Sequence, residues 1–440
     1  MKKLNWRKSI VQCVALLLVM CMLCACSPKG GKDGEKVTLN VCTQMIEGDG
    51  GTNTAAFYDM LEKFQADYPN VEIVLQKIDP SNYPEQLRIL AVGDQLPDIF
   101  ELESAALDTF VGTGKLQAMD DYLKDHPFFK EHEIGNAFSE FEMDGATYGI
   151  PLQMCPNALL FYNKAMVKDC GYEEFPTEWD DFMDLIAKLN EKGIVPMALG
   201  NKEQWVAVSC IMSNLSDRFT GSDWFHSLVD GTGAKFTDPE FIDSLNALVE
   251  MRDAHAFNED MNSLGSEEQR SMFNNGEAAM YMEGSWAIPT LEDAIDGVKE
   301  NIGVTVLPGV PGGKGDPRSI SGAAGFGYAM RNDLTEAQKE AAYNFITYTA
   351  GEGYCKGLLE AGGDSAFSVD SYDESKLSAP AAEKNELLKT TPFCPGYDVS
   401  LPPEVYSVEY EEIQGLLIGT VTPEQVAQDM QEAWETWLNQ

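Results

Sequence analysis

Histidine and positive charge are what this 440-residue chain has least of, with four His and 31 Lys+Arg against 71 Asp+Glu, a formal charge of −40. Such a surface repels polyanions, which excludes nucleic acid and anionic lipid headgroups as electrostatic partners. The acidity itself leaves two readings open, a solvated surface that keeps the chain dispersed and a preference for cationic ligands. The histidines (His126, His132, His226 and His255) are scattered without ligand-like spacing. Beyond residue 26 the cysteines are Cys42, Cys155, Cys170, Cys210, Cys355 and Cys394, far apart and with no CxxC among them. A zinc site is not expected, nor any other metal or cofactor. Catalytic signatures are missing too: there is no Gly-x-Ser-x-Gly elbow, no P-loop and no HExxH.

What is present begins with an export signal. MKKLNWRK is basic, SIVQCVALLLVMCML is apolar, and CAC follows. The apolar run is short against the roughly 20 residues of a membrane span, so cleavage is expected, with a retained anchor as the alternative. Leu23-Cys24-Ala25-Cys26 resembles a bacterial lipobox. That resemblance makes residues 1–25 a lipoprotein signal peptide and Cys26 the lipidated residue, while an unprocessed Cys-rich segment is the competing reading. Residues 26–36, SPKGGKDGEK after the cysteine, are polar and Gly-rich and read as a flexible tether. Each buried methylene of an acyl chain contributes about 0.8 kcal/mol, so two chains hold a soluble body at a membrane. Outside the cell disulfides are permitted, but their pairing is not legible and free thiols are equally open.

The exported part alternates strands and helices. Val37, Leu39 and Val41 alternate as a strand does, and Phe57, Met60, Leu61 and Phe64 follow at helical spacing before the strand-like VEIVLQKI. This βαβ order belongs to an α/β domain, whose ligands sit at the carboxyl ends of the strands, so residues 43–54 are a candidate site wall. In PTEWDDFMDLIAKLNEKG, Thr177 and Asp180 read as a capping-box pair, Trp179, Phe182, Ile186 and Leu189 form one face, and Gly193 is the terminator. In TPEQVAQDMQEAWETWL, Thr422 caps a last amphipathic helix with Pro423 in its first turn. The Gly/Pro-rich segment 307–325 is the main internal break, a domain linker or an exposed loop.

Several pieces then recur in a familiar order: GDQLPDIFELES, DGATYGIPLQM, LLFYNKAM, the helix after Thr177, FNNGEAAMYMEGSWA, IGVTVLPG and GAAGFGYAM. Together the pieces resemble the extracellular solute-binding proteins of ABC sugar importers, the group that includes maltose-binding protein. The resemblance implies an α/β, two-lobe periplasmic-binding-protein-like fold with crossover hinge segments and a ligand cleft between the lobes. Lobe 1 would hold residues 37–151 plus 322–367, and lobe 2 residues 152–321 plus 368–440. It also implies a carbohydrate ligand, ABC transporter permease subunits as partners, and a monomer with no enzymatic activity.

A sugar ring offers a C–H face rimmed by hydroxyls, so its site needs apolar plates and fixed polar groups. Trp286, set behind Gly284 and Ser285 and next to Glu283, matches the family's stacking tryptophan, with core packing as the alternative. Trp205 matches a second aromatic position, with Glu203 beside it as an acceptor. Tyr406 falls where the family presents a further aromatic, or else on a helix core face. Glu101, Glu103 and Ser104 follow the PDIF strand, where relatives hydrogen-bond hydroxyls; solvated loop acids are the other reading. Asn157 is a further hydroxyl partner, Thr43 and Gln44 are weaker ones, and Gly322–Gly325 serves either as an amide surface for the ligand or as a hinge. Two other functions remain on the sequence: a binding protein for a peptide or polyamine, and an anchored glycoside hydrolase, whose carboxylate pair about 5–10 Å apart would be hidden among the many acids.

Overall fold

The computed structural model describes residues 36–47, 52–79 and 82–439. The export signal, Cys26 and the tether up to residue 35 lie outside the described residues. The first strand, Val37–Thr43, forms as its alternation predicts, with Val37, Leu39 and Val41 inward and Thr38 and Asn40 exposed. It runs parallel between Val71–Lys77 and Ile99–Glu103. The helix Thr52–Asp67 between the first two strands buries Phe57, Met60, Leu61 and Phe64. Phe326–Met330 and Ile150–Pro151 complete this sheet in antiparallel pairings. The helices Glu336–Ala350 and Glu352–Glu360 pack on Thr52–Asp67, and Phe345 meets Phe57 and Phe64 edge to ring at 6.3 and 5.6 Å.

A second sheet has the order Ile302–Thr305, Leu159–Asn163, Ala278–Glu283, Val195–Ala198. All residues of Leu159–Asn163 and Ala278–Glu283 are buried, which is why these strands read as apolar runs and not as alternations. Helix Trp179–Glu191 buries Trp179, Phe182, Leu185, Ile186 and Leu189, and Gly193 ends it with φ +71°. The capping box expected of Thr177 and Asp180 does not form: Glu178 is the N-cap, with no side-chain cap bond. Backbone pairing takes precedence there, because Gly309 N donates to Thr177 O and Trp179 N donates to Gly309 O, both at 3.0 Å. The last helix, Pro423–Leu438, starts as expected, with Thr422 Oγ1 accepting from Gln425 N at 3.3 Å.

Between the two bodies lies a small sheet of Phe393–Pro395, Ile320–Ala323 and Cys155–Pro156. Within the Gly/Pro-rich segment 307–325, residues 311–318 form the expected mostly exposed loop, while Ile320–Ala323 is the buried central strand of this sheet. Arg218, itself buried, anchors the segment by donating to Leu307 O, Asp316 O and Ser319 O at 2.7–2.9 Å. The six cysteines among the described residues are free thiols. No helix among the described residues is long and apolar enough to cross a membrane.

One core position breaks the pattern. Helix Pro403–Leu417 turns Val405, Ile413 and Leu416 inward, and Glu409 lies on the same face, fully buried, with neither carboxylate oxygen bonded. A charge without donors is costly away from water. Burial, with the negative charge of Asp398 adding to it, pushes Glu409 up from 4.5 to about 8. The folded state thus binds more protons than the unfolded state between those values, and stability falls as pH rises through that window, the loss being complete above 8. Glu409→Gln is expected to be more stable than the parent at pH 8, by about 4 kcal/mol at ~1.4 kcal/mol per pKa unit, and nearly equal to it at pH 4. Urea midpoints at the two pH values measure the difference.

Candidate functional site

Strand Ala278–Glu283 leaves the second sheet into Gly284, whose backbone is extended. A Cβ at Gly284 would lie 2.2–2.5 Å from Cζ3, Cη2 and Cε3 of Trp286. Only glycine therefore lets the indole fold back over the turn. Trp286 is 41% exposed, and its Nε1 donates to Glu283 Oε1 at 2.9 Å. Glu283 is fully buried and accepts from Arg270 Nε at 3.1 and 3.0 Å and from Gln269 Nε2 at 3.2 Å, with the Arg270 terminal nitrogen also on Oε1. On the other side of the turn, Ser285 Oγ donates to Asp364 Oδ2. The fully buried Lys384 holds Asp364 Oδ1 at 2.6 Å, together with Gly362 O and Gly363 O. Breaking a buried pair of this kind costs about 3–5 kcal/mol, so the turn is braced from two directions.

Trp205, half-buried, stands against Trp286 with ring centroids 5.9 Å apart and planes at 56°. It follows Gln204, which adopts φ +69°, and opens into a wholly buried π-helix, Val206–Met212. π-Helices are rare and concentrate at functional sites. Asn201 secures the entry, its Oδ1 accepting from Ala207 N at 3.1 Å. The two indoles thus present a wedge of two aromatic planes. Glu203 is exposed, and its carboxylate leans over Gly265, at the amino end of helix Ser266–Asn274, where a helix favours negative charge.

At the first sheet the expected polar residues divide. Glu101 and Thr43 are fully buried and bonded to each other, Thr43 Oγ1 donating to Glu101 Oε1 at 2.5 Å, while Gln44 N donates to Oε2 at 3.2 Å. Burial pushes Glu101 up and these donors pull it back. The three form a brace across adjacent strand ends. Glu103 and Ser104 are half-buried at the strand's carboxyl end, where Ser104 N donates to Gly325 O at 2.8 Å. Burial raises Glu103, and the charge of Arg88 lowers it.

Tyr406, half-buried, comes from the other body, yet burial and then the charge of Glu103 raise its hydroxyl. The short helix Tyr397–Ser400 also touches Ser104–Ala106. Glu103 and Ser104 thus lie on the side of the first body that faces helix Tyr397–Ser400, and Tyr406, one helix on, is within electrostatic reach of Glu103. Asn157 is buried in the small sheet, its N donating to Ser321 O at 2.8 Å, with Nδ2 near Gly396. In the run Gly322–Gly325, Ala324 N and Gly325 N donate to the Glu140 carboxylate at 2.7 and 3.1 Å, so those amides are already engaged. Sequence reasoning missed the Arg270–Glu283–Gln269 bracket, the Ser285–Asp364–Lys384 chain and Glu140. A charge closing an otherwise apolar strand, as Glu283 does, was the one local signal.

The family profile of bacterial extracellular solute-binding proteins matches residues 48–354. The chain is 23% identical over 369 residues to the multiple sugar-binding protein of Streptococcus mutans, covering 77% of this chain and 79% of that one. It is 23% identical over 268 residues to an ABC transporter extracellular-binding protein of Pyrococcus horikoshii, where the match spans 60% of this chain but only 59% of the relative. Among solved structures, a chitin oligosaccharide binding protein superposes with a TM-score of 0.76 at 25% identity, over 92% of this chain and 99% of that one. The structural neighbours are two-domain α/β proteins, and the family consists of exported binding proteins, not enzymes. The fold, the braced aromatic turn and the profile match over most of the chain agree: this protein belongs to the bacterial extracellular solute-binding protein family.

Proposed function

We propose that the chain is the lipid-anchored capture component of an ABC importer, tethered through Cys26, and that it delivers a mono- or oligosaccharide unchanged to permease subunits. The carrying observation is the indole wedge: Trp286 and Trp205 lie 5.9 Å apart, and neither is fully buried. Apolar plates of this kind suit the C–H faces of a sugar. Glu103, Ser104 and Tyr406 supply the polar rim, with Asn157 and Glu203 at its margins, while Glu101, Thr43 and Gln44 stiffen the strand ends behind it. The lobes are residues 37–151 plus 322–367 and residues 152–321 plus 368–440, acting as a monomer. Two relatives named for sugars or oligosaccharides support a carbohydrate over a peptide or polyamine.

A thermal-shift screen of glucose, maltotriose, raffinose, N,N′-diacetylchitobiose, spermidine and short peptides tests the substrate class. A saccharide at 100 times its Kd is expected to stabilise the fold by about 2.7 kcal/mol and to be recovered uncleaved. Shifts from spermidine or peptides alone would overturn the carbohydrate reading. Trp286→Ala is expected to weaken binding of the responding saccharide roughly tenfold or more, with little change in the urea midpoint because the ring is 41% exposed. A large stability loss with affinity retained would return Trp286 to the core.

A further inference from the structure

The two indoles belong to different segments, one following strand Val195–Ala198 and the other following strand Ala278–Glu283. A single side chain touches both supports. Gln269 Nε2 donates to Glu283 Oε2 at 3.2 Å and to Met282 O at 3.3 Å, behind Trp286. Its Oε1 accepts from Gly200 N at 2.9 Å, at the head of the loop that leads to Trp205. That loop cannot shift toward the helix, since a Cβ on Gly200 would lie 2.0 Å from Gly265 O. Gln269 is fully buried, so each of its bonds is made within the protein and replaces one lost to water.

Glu283 completes the arrangement. Its carboxylate has no exposure and cannot reach a solute, yet it holds the one polar atom of the Trp286 ring. A carboxylate at the end of a fully buried strand is tolerable only when paired, and Arg270, next to Gln269 on the same helix, provides the pair. We propose that Glu283 and Gln269 are positioning residues that fix the angle between Trp205 and Trp286, so that a solute meets the face of Trp286 while its N–H is already engaged. Its importance for recognition rests on the carbohydrate reading above; the geometry itself does not.

Ligand-free protein provides the test. Two indoles this close couple their transitions, and the exciton couplet in the circular dichroism of the parent is defined by its loss in Trp205→Phe and in Trp286→Phe. Glu283→Leu and Gln269→Leu are each expected to reduce that couplet at least about twofold, and Glu283→Gln, which keeps an acceptor for the indole, to restore part of it. A folded Glu283→Leu or Gln269→Leu protein with the full couplet overturns the proposal. Should those variants fail to fold, hydrogen exchange of the Trp286 indole N–H in the parent decides, its resonance assigned through Trp286→Phe. A charge-assisted bond predicts exchange at least about tenfold slower than in free tryptophan, and equal rates overturn the proposal. An intact dependence of the couplet with no saccharide response in the screen would sink the substrate reading alone.

Discussion

A carboxylate removed from water has to be surrounded by donors or surrender its charge, and that constraint organises the candidate site. Glu283 meets it with Arg270, Gln269 and the Trp286 indole. Asp364 meets it with Lys384 and Ser285, Glu101 with Thr43 and Gln44, and Glu140 with two backbone amides. Each of these acids joins segments that are distant in the chain, so the need for donors locks strand ends and turns into one arrangement. Glu409 is the contrast: without donors it keeps its proton instead, and it joins nothing.

The same constraint explains how far the sequence could be read. Elements whose evidence is local were legible: the alternation of Val37–Thr43, the apolar face of Thr52–Asp67, the Gly193 stop and the Thr422 cap all depend on neighbours within a turn or a strand. Local evidence failed where a distant backbone intervened, as at Thr177, where Gly309 pairs with the chain and the capping box is lost. Trp286 was legible as a contact surface through the resemblance of its Gly-Ser-Trp turn to the family's stacking tryptophan, and it is 41% exposed. Its brace was not, because Ser285 and Asp364 are 79 positions apart and Asp364 and Lys384 are 20 apart; periodicity carries no information at such separations.

The placement of Glu101 shows the same limit from another side. Its position at the carboxyl end of a parallel strand suits a solute contact by the general rule for α/β sheets, and its residue type suits a hydroxyl. Burial is what distinguishes it from Glu103 two residues on, and its backbone is held by Tyr83, whose hydroxyl accepts from Glu101 N at 2.9 Å and donates to Cys42 O at 3.1 Å. No pattern within the PDIF segment specifies that tyrosine.

The distribution of groups also constrains how a solute could move the lobes. Both indoles stand on the body built around the second sheet, where Gln269 links their supports, while the Ser285–Asp364 bond ties the Trp286 turn to a segment assigned to the other lobe. On the proposed reading, stacking on the indoles, whose link through Gln269 lies within one body, changes little with closure, and a ligand shifts a conformational equilibrium only by its differential affinity for the two states. The free energy that drives closure, on this reading, has to come from groups on the opposite body, Glu103 and Ser104, at the edge that helix Tyr397–Ser400 touches. On that same reading, the aromatic wedge sets how tightly a sugar is held, and the polar groups on the opposite body set whether holding it closes the lobes.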